Sequence, residues 1–293
     1  MRSAHPVVRR LVAVLASAGT VAALSTTAPA SAAPQAAVAA YAPAATAEIT
    51  PGVQMYTDGA QCTANFVFTD GAGNTYVGYA AHCAGLGAAT DTNGCDAGSL
   101  PLGTRVTFAR GGSLVSGGTT VGHGTLAYSS WLTMQGRNET NEDACAYNDL
   151  ALVKVDAADV SKVNPSIPFW GGPVGINTDG TAAGDRVYSY GNSILRGGIE
   201  ALSPKTGASV GTTGNGWSHP VYTVSPGVPG DSGSAFLDAE GNALGTLSTL
   251  AIAPLAGSNG VGDLNSELSY AQQFGGIAGL QLVPGTEPFE PVL

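Results

Sequence analysis

From Val53 onward the chain breaks into short runs rich in β-branched, aromatic and aliphatic residues, each closed by Gly, Asn, Asp or Ser. TANFVFT (63–69), TYVGYAA (75–81), TRVTFA (104–109) and LALVKV (150–155) are of this kind. So are DRVYSYG (185–191), PVYTV (220–224), SAFLD (234–238) and ALGTLSTLAI (243–252). Short apolar runs separated by turn signals predict β-strands, and so many of them predict an all-β barrel or sandwich. LSYAQQFGGIAGL (268–280) is the one helical candidate, interrupted by three glycines. The segment 163–185 is rich in Pro and Gly and poor in strand signal. It reads as the connection between an N-terminal half, 51–165, and a C-terminal half, 166–293.

The first hairpin can be set in register. With a four-residue loop at Gly71–Asn74, Asp70 opposes Thr75, Phe68 opposes Val77 and Cys62 opposes Cys83. Directly opposed residues of an antiparallel ladder lie about 4.5–5.5 Å apart, within disulfide reach. This supports Cys62–Cys83, and elimination pairs Cys95 with Cys145 across a long Gly- and acid-rich stretch. No Cys-x-x-Cys spacing is present, which counts against a zinc site, and no metal or other cofactor is expected.

The N-terminus changes the compartment. Three arginines in MRSAHPVVRR precede the apolar run LVAVLASAGTVAAL and the small-residue site Ala30-Ser31-Ala32. A charged start, a short apolar core and such a site describe an export signal, here 1–32. The run is too short for a comfortable membrane span. Residues 33–50 are Ala-rich and read as a linker or short pro-segment. Removing the first 32 residues takes away three of 11 basic residues and no acid, leaving 8 against 21 and a net charge of −13. Such a balance disfavours nucleic acid and anionic membrane surfaces as partners. The expectation is a secreted, monomeric protein acting on other molecules in solution.

The candidate chemistry centres on SPGVPGDSGSAF (225–236), in which Ser232 lies among turn residues. A nucleophilic serine needs a base, a group to orient that base and an oxyanion site. Of the four histidines, His5 falls in the export signal, and none follows Ser232. That excludes chain orders in which the base comes last. His82 stands at the end of an apolar strand in GYAAHCAG, beside a cysteine already paired. His123 and His219 lack such an anchor and read as surface or structural residues. Asp149, in AYNDLALVKV, stands directly before an alternating strand and is a candidate buried acid.

Three blocks now stand in order: YAAHC (79–83), NDLALVKV (148–155) and PGDSGSAF (229–236). They resemble the motifs of the chymotrypsin-like serine peptidases, over roughly residues 53 to 283. The resemblance implies two antiparallel six-stranded β-barrels with the site in the cleft between them. It implies Ser232 as nucleophile, His82 as general base and acid, and Asp149 as its orienter. The N–H groups of Gly230 and Ser232 would form the oxyanion hole. Ser248, Thr249 and Leu250 would run past the substrate, with Ser248 near Asp149. Protein or peptide substrates are the implied partners.

Two departures from the family pattern bear on function. No zymogen-type N-terminus is present to meet Asp231, so an internal Arg186 or Arg196 is expected there. Pro226 takes the place, six residues before the nucleophile, where trypsin-type members carry an acid. A neutral pocket for apolar or small side chains follows, shallow because Leu250 replaces glycine. The alternatives are a catalytically dead binding protein on the same barrels and a calcium module in RNETNEDACAYND. The acids of that stretch lack the spacing of a calcium loop.

Overall fold

The computed structural model describes residues 40–87, 93–250 and 257–291. The expected export signal and the first part of the Ala-rich stretch lie outside these residues. Seven strands come from the first half: β1 (Gln54–Thr57), β2 (Ala60–Thr63), β3 (Val67–Thr69), β4 (Thr75–Ala80), β5 (Arg105–Arg110), β6 (Thr119–Ser129) and β7 (Leu150–Val155). Seven more follow: β8 (Arg186–Tyr190), β9 (Pro204–Ser209), β10 (Ser218–Thr223), β11 (Ala235–Leu237), β12 (Ala243–Leu250), β13 (Asn259–Asp263) and β14 (Gln281–Leu282). Among the described residues the α-helices are α1 (Ser130–Arg137), α2 (Glu142–Tyr147) and α3 (Leu264–Phe274). The helical candidate is α3, which starts earlier than its glycines suggested. Asp263 caps it, accepting the Ser266 N–H at 2.7 Å.

The fold is all-β in two antiparallel sheets. Strands β8 to β13 close into a six-stranded barrel in the order β10-β13-β12-β11-β8-β9. The first half forms an eight-stranded sheet, β14-β3-β4-β7-β6-β5-β1-β2. Its strand count exceeds the expected six because the β1–β2 hairpin extends one edge and β14 crosses from the far end of the chain to pair with β3. Strands β1 to β7 precede the closed barrel in sequence, while β14 returns from the C-terminal end to the first sheet.

Three apolar clusters fill the body. One lies on the first sheet (Met55, Val77, Tyr79, Phe108, Val153) and one in the closed barrel (Val187, Phe236, Leu247, Val261). The third draws on both halves: Phe66, Phe68, Leu150 and Leu152 meet Trp170, Tyr188, Leu237 and Leu264. Strand β7 explains how. Leu150 and Leu152 face the shared cluster, whereas Ala151, Val153 and Val155 face the first. Period-2 alternation thus sends both faces of one strand into different cores.

Local readings shift in three places. The first hairpin pairs Val67 with Val77 and Phe68 with Tyr76, one residue from the expected register. Asp70 closes the turn itself, accepting the N–H groups of Ala72 and Asn74 at 2.9 Å each. Cys62 is not on that ladder at all but on β2, and still bonds Cys83. The Gly- and acid-rich stretch between Cys95 and Cys145 supplies β5, β6, α1 and part of α2. Two of its glycines, Gly122 and Gly124, are strand positions on β6; at Gly124 a Cβ would come 2.5 Å from Val153 Cγ1. Residues 40–50 run against the body, with Ile49 buried and bridged to Val163.

Peptide mapping without reduction is expected to recover Cys62–Cys83 and Cys95–Cys145. A Cys62–Cys95 or Cys62–Cys145 peptide would contradict the fold. The bridges close separations of 21 and 50 residues. Reducing them should remove about 3 and about 4 kcal/mol of stability in the chain-entropy description.

Candidate active site

The β4–β7 ladder brings two of the expected residues together. Tyr79 pairs with Ala151 and Ala80 with Leu150, and the next step, Ala81 N–H to Asp149 O, spans 2.8 Å. Beyond it the chain turns through a 3₁₀ helix, Ala81–Ala84, that carries His82. The His82 N–H donates to Asp149 Oδ1 at 2.8 Å, and His82 Nδ1 lies 2.6 Å from Asp149 Oδ2. Ser248 Oγ donates to the same Oδ2 at 2.6 Å from β12. Asp149 is 4% exposed, and the His82 side chain keeps 18% of its surface.

Burial works to lower the His82 pKa, but the charge of Asp149 and its hydrogen bond outweigh that. The imidazole pKa is raised above the usual 6.5. The folded form therefore gains stability from the protonated pair below the ordinary histidine pKa. That gain is lost as pH rises through the raised value.

Ser232 sits half-buried on the loop that leads into β11. Its carbonyl accepts the Thr63 N–H at 2.8 Å, and Cys83 Sγ lies 4.0 Å from the same oxygen. Gly233 makes the approach possible. It holds φ +88°, and a Cβ there would come 2.8 Å from Ala80 N and 2.5 Å from Thr63 O. The loop is thus docked on the end of β4, beside the turn that carries His82. Gly230, at φ +94°, has its carbonyl held by Thr63 Oγ1 at 2.8 Å and Gln61 Nε2 at 3.1 Å. The Asp231 N–H closes a turn onto Val228 O at 2.8 Å. Among the described residues, the N–H groups of Gly230 and Ser232 meet no acceptor, and Ser232 Oγ is not hydrogen-bonded to His82 Nε2. The Cys62, His82 and Cys83 ligand atoms converge within 4.8 Å, but both sulfurs are spent in the disulfide.

Asp231 is wholly buried and meets two cations. Arg196 Nη2 donates to its Oδ2 at 2.5 Å, Lys205 Nζ pairs with the same oxygen, and the Ser193 N–H donates to Oδ1 at 3.0 Å. Burial raises the carboxyl pKa, but Lys205 and Arg196 outweigh it and hold the group below its usual range. Burial in turn brings Lys205 down to about 8. The expected Arg196 is there, whereas Arg186 is exposed on β8. Lys205 went unread because PKTGAS carries little strand signal, although it forms β9 and turns the lysine inward.

The residues expected along a substrate differ in setting. Ser248 is committed to Asp149, Thr249 is half-buried, Leu250 is 47% exposed, and Pro226 is exposed. Asn259, not foreseen, spans the gap between the two walls. Its Oδ1 accepts the Gly227 N–H at 2.7 Å, and its Nδ2 donates to Thr249 O at 3.2 Å and Gly227 O at 3.3 Å. Glu267 was also missed. It accepts the Asp149 N–H at 3.0 Å, and Thr246 Oγ1 donates to it at 2.9 Å. A helical signal could have found it, since Leu264, Glu267, Leu268 and Ala271 share one face of α3. His219 is a satisfied buried residue, with Nε2 2.9 Å from Asp263 Oδ2, and His123 is exposed.

A closed barrel and a second antiparallel sheet, with His and Asp on one and a Ser loop from the other, form the two-barrel architecture that the sequence motifs imply. No protein-family model matches the sequence, and no curated protein does. Among solved structures, Thermobifida fusca Protease A is 20% identical, with 81% of this chain and 99% of that one covered and a TM-score of 0.46. A glutamic-acid-specific serine protease is 20% identical over 75% of this chain and 96% of its own, at 0.45. A Nocardiopsis protease is 18% identical over 80% and 98%, at 0.44. At such identities the functional reading stands on the chain's own residues.

Arg196→Ala and Lys205→Ala each leave the Asp231 carboxylate short of a buried partner. Each should lower the unfolding free energy by roughly 3 kcal/mol in urea denaturation. Arg186→Ala should leave the curve unchanged. Equal behaviour of all three variants would contradict the assignment.

Proposed function

We propose that the chain is a secreted serine endopeptidase of the chymotrypsin-like type, cleaving protein or peptide substrates through an acyl-enzyme. The observation that carries the reading is the 2.6 Å contact of His82 Nδ1 with buried Asp149, beside the docked Ser232 loop. Asp149 holds Nδ1 protonated, which leaves Nε2 free to act as base. As substrate seats, Ser232 Oγ must come within about 2.6–3.2 Å of Nε2. The base then takes the hydroxyl proton while Oγ attacks the scissile carbonyl carbon. His82 returns that proton to the leaving amine, and water repeats the sequence on the acyl-enzyme.

The acceptor-free N–H groups of Gly230 and Ser232 are the donors for the oxyanion. No step draws on a cofactor. Export is supported by the N-terminal pattern and by the two disulfides, which persist in oxidising compartments. Specificity follows from the walls of the cleft. Asn259 fills the space between Gly227 and Thr249, and Pro226 offers no charge, so small or apolar neutral side chains are preferred. A binding protein without activity is the second reading, favoured by the absent Ser232–His82 hydrogen bond.

Ser232→Ala and His82→Ala should each remove nearly all kcat, leaving the ~10³–10⁴-fold residue over water. The double variant should lose little more, because the two side chains act as one unit. Peptidase activity retained in Ser232→Ala would refute the reading. The pH profile of kcat/KM should fall on the acid side with a midpoint above 6.5, since an imidazolium cannot accept the serine proton. A midpoint below 6.5 would contradict the Asp149 pairing. Across a peptide library, preference for Arg or Lys would sink the neutral pocket.

A further inference from the structure

Behind Asp149 lies a second carboxyl group that the proposed reaction leaves unused. Glu267, on the first turn of α3, is wholly buried. Its Oε1 takes the Asp149 N–H at 3.0 Å and its Oε2 meets Thr246 Oγ1 at 2.9 Å. Thr246 in turn receives Asn65 Nδ2 at 3.2 Å. Gly262 leaves room for the group, since a Cβ there would overlap Glu267 Oε1.

Among the described residues, no Lys, Arg or His pairs with Glu267. The titratable groups that face it are Asp149 at the mouth of β7, Asp263 at the cap of α3 and Tyr128 from β6. A buried carboxylate with no cation and with acids for neighbours is costly, and holding its proton removes that cost. Burial, with the charge of Asp149, drives its pKa well above the usual carboxyl range against the pull of the Asp149 N–H.

We propose that Glu267 is a positioning residue: a neutral carboxylic acid whose Oε1 accepts the Asp149 N–H and fixes its main chain, and whose Oε2 is held by the Thr246 hydroxyl. Asp149 then presents the negative charge to His82 without a second anion behind it. An ionised Glu267 would instead push the imidazole further toward its protonated form and leave less of it free to accept the serine proton near neutral pH. The catalytic part of this rests on the peptidase reading; the coupling of Glu267 to His82 does not.

The test follows the His82 imidazole by NMR titration in the wild type, Glu267→Gln and Glu267→Leu, its signal identified by loss in His82→Ala. Glu267→Gln keeps a neutral group with an acceptor for the Asp149 N–H. Its His82 midpoint should stay within about 0.3 unit of the wild type. A fall of roughly one unit would mean that a negative charge had been removed, and would overturn the neutral assignment.

Glu267→Leu strands the Asp149 N–H. Its His82 midpoint should drop by about half a unit or more, and kcat should fall about tenfold or more with KM unchanged. A Glu267→Leu protein that matches the wild type in both readouts would overturn the positioning role. If that variant does not fold, Glu267→Met, which removes the same acceptor, is read in its place, while Glu267→Gln still decides the charge state. Should the wild type prove inactive on every peptide, the peptidase reading fails, while the titrations, which need no substrate, still decide the coupling.

Discussion

The antiparallel ladder between β4 and β7 is the constraint on which the site depends. Both strands are buried between two apolar cores, so a one-residue slip would turn Leu150 and Leu152 out of the shared cluster. That cost fixes the register, and the register delivers Asp149 to Ala81 and its carboxylate to His82. The geometry of the proposed site is therefore inherited from core packing and needs no separate device. The Cys62–Cys83 bridge reinforces the same corner. It joins the residue after His82 to the residue before Thr63, whose N–H holds the Ser232 carbonyl.

The second half supplies the opposing element through charge. Asp231 is an anion with no exposed surface, made tolerable by Arg196, Lys205 and the Ser193 N–H. All of these partners lie within the chain, between residues 193 and 205. The loop 228–233 thus takes its shape when the barrel folds, and the flanking glycines give it the backbone freedom to press against β4. The Asp231 carboxylate is thus satisfied by partners internal to the chain.

Much of this was legible in the sequence, for physical reasons that differ by element. Strands buried on one or both faces announce themselves through apolar runs, and His82, Asp149 and Ser232 stood out because each abuts such a run or a glycine turn. The pairing Cys62–Cys83 came out although the hairpin register was off by one. The proximity of β2 to the His82 turn makes the bond, and Asp70 closes the hairpin tighter than a loop count suggests. The roles of Lys205, Asn259 and Glu267 were not legible from the sequence. Each is a polar residue whose role exists only through partners far along the chain: Asp231 for Lys205, Gly227 for Asn259 and Asp149 for Glu267. Strand β6 hid behind Gly122 and Gly124, which close packing of neighbouring side chains and backbone requires.

The central claim is that Ser232 is a nucleophile activated by His82, and labelling with a fluorophosphonate probes that activation without assuming any substrate. Intact-mass and peptide analysis of the purified protein should find one adduct, on Ser232, formed quickly by the wild type and hardly at all by His82→Ala. A folded wild-type protein that never forms the adduct, or an adduct that forms equally fast without His82, would contradict the account.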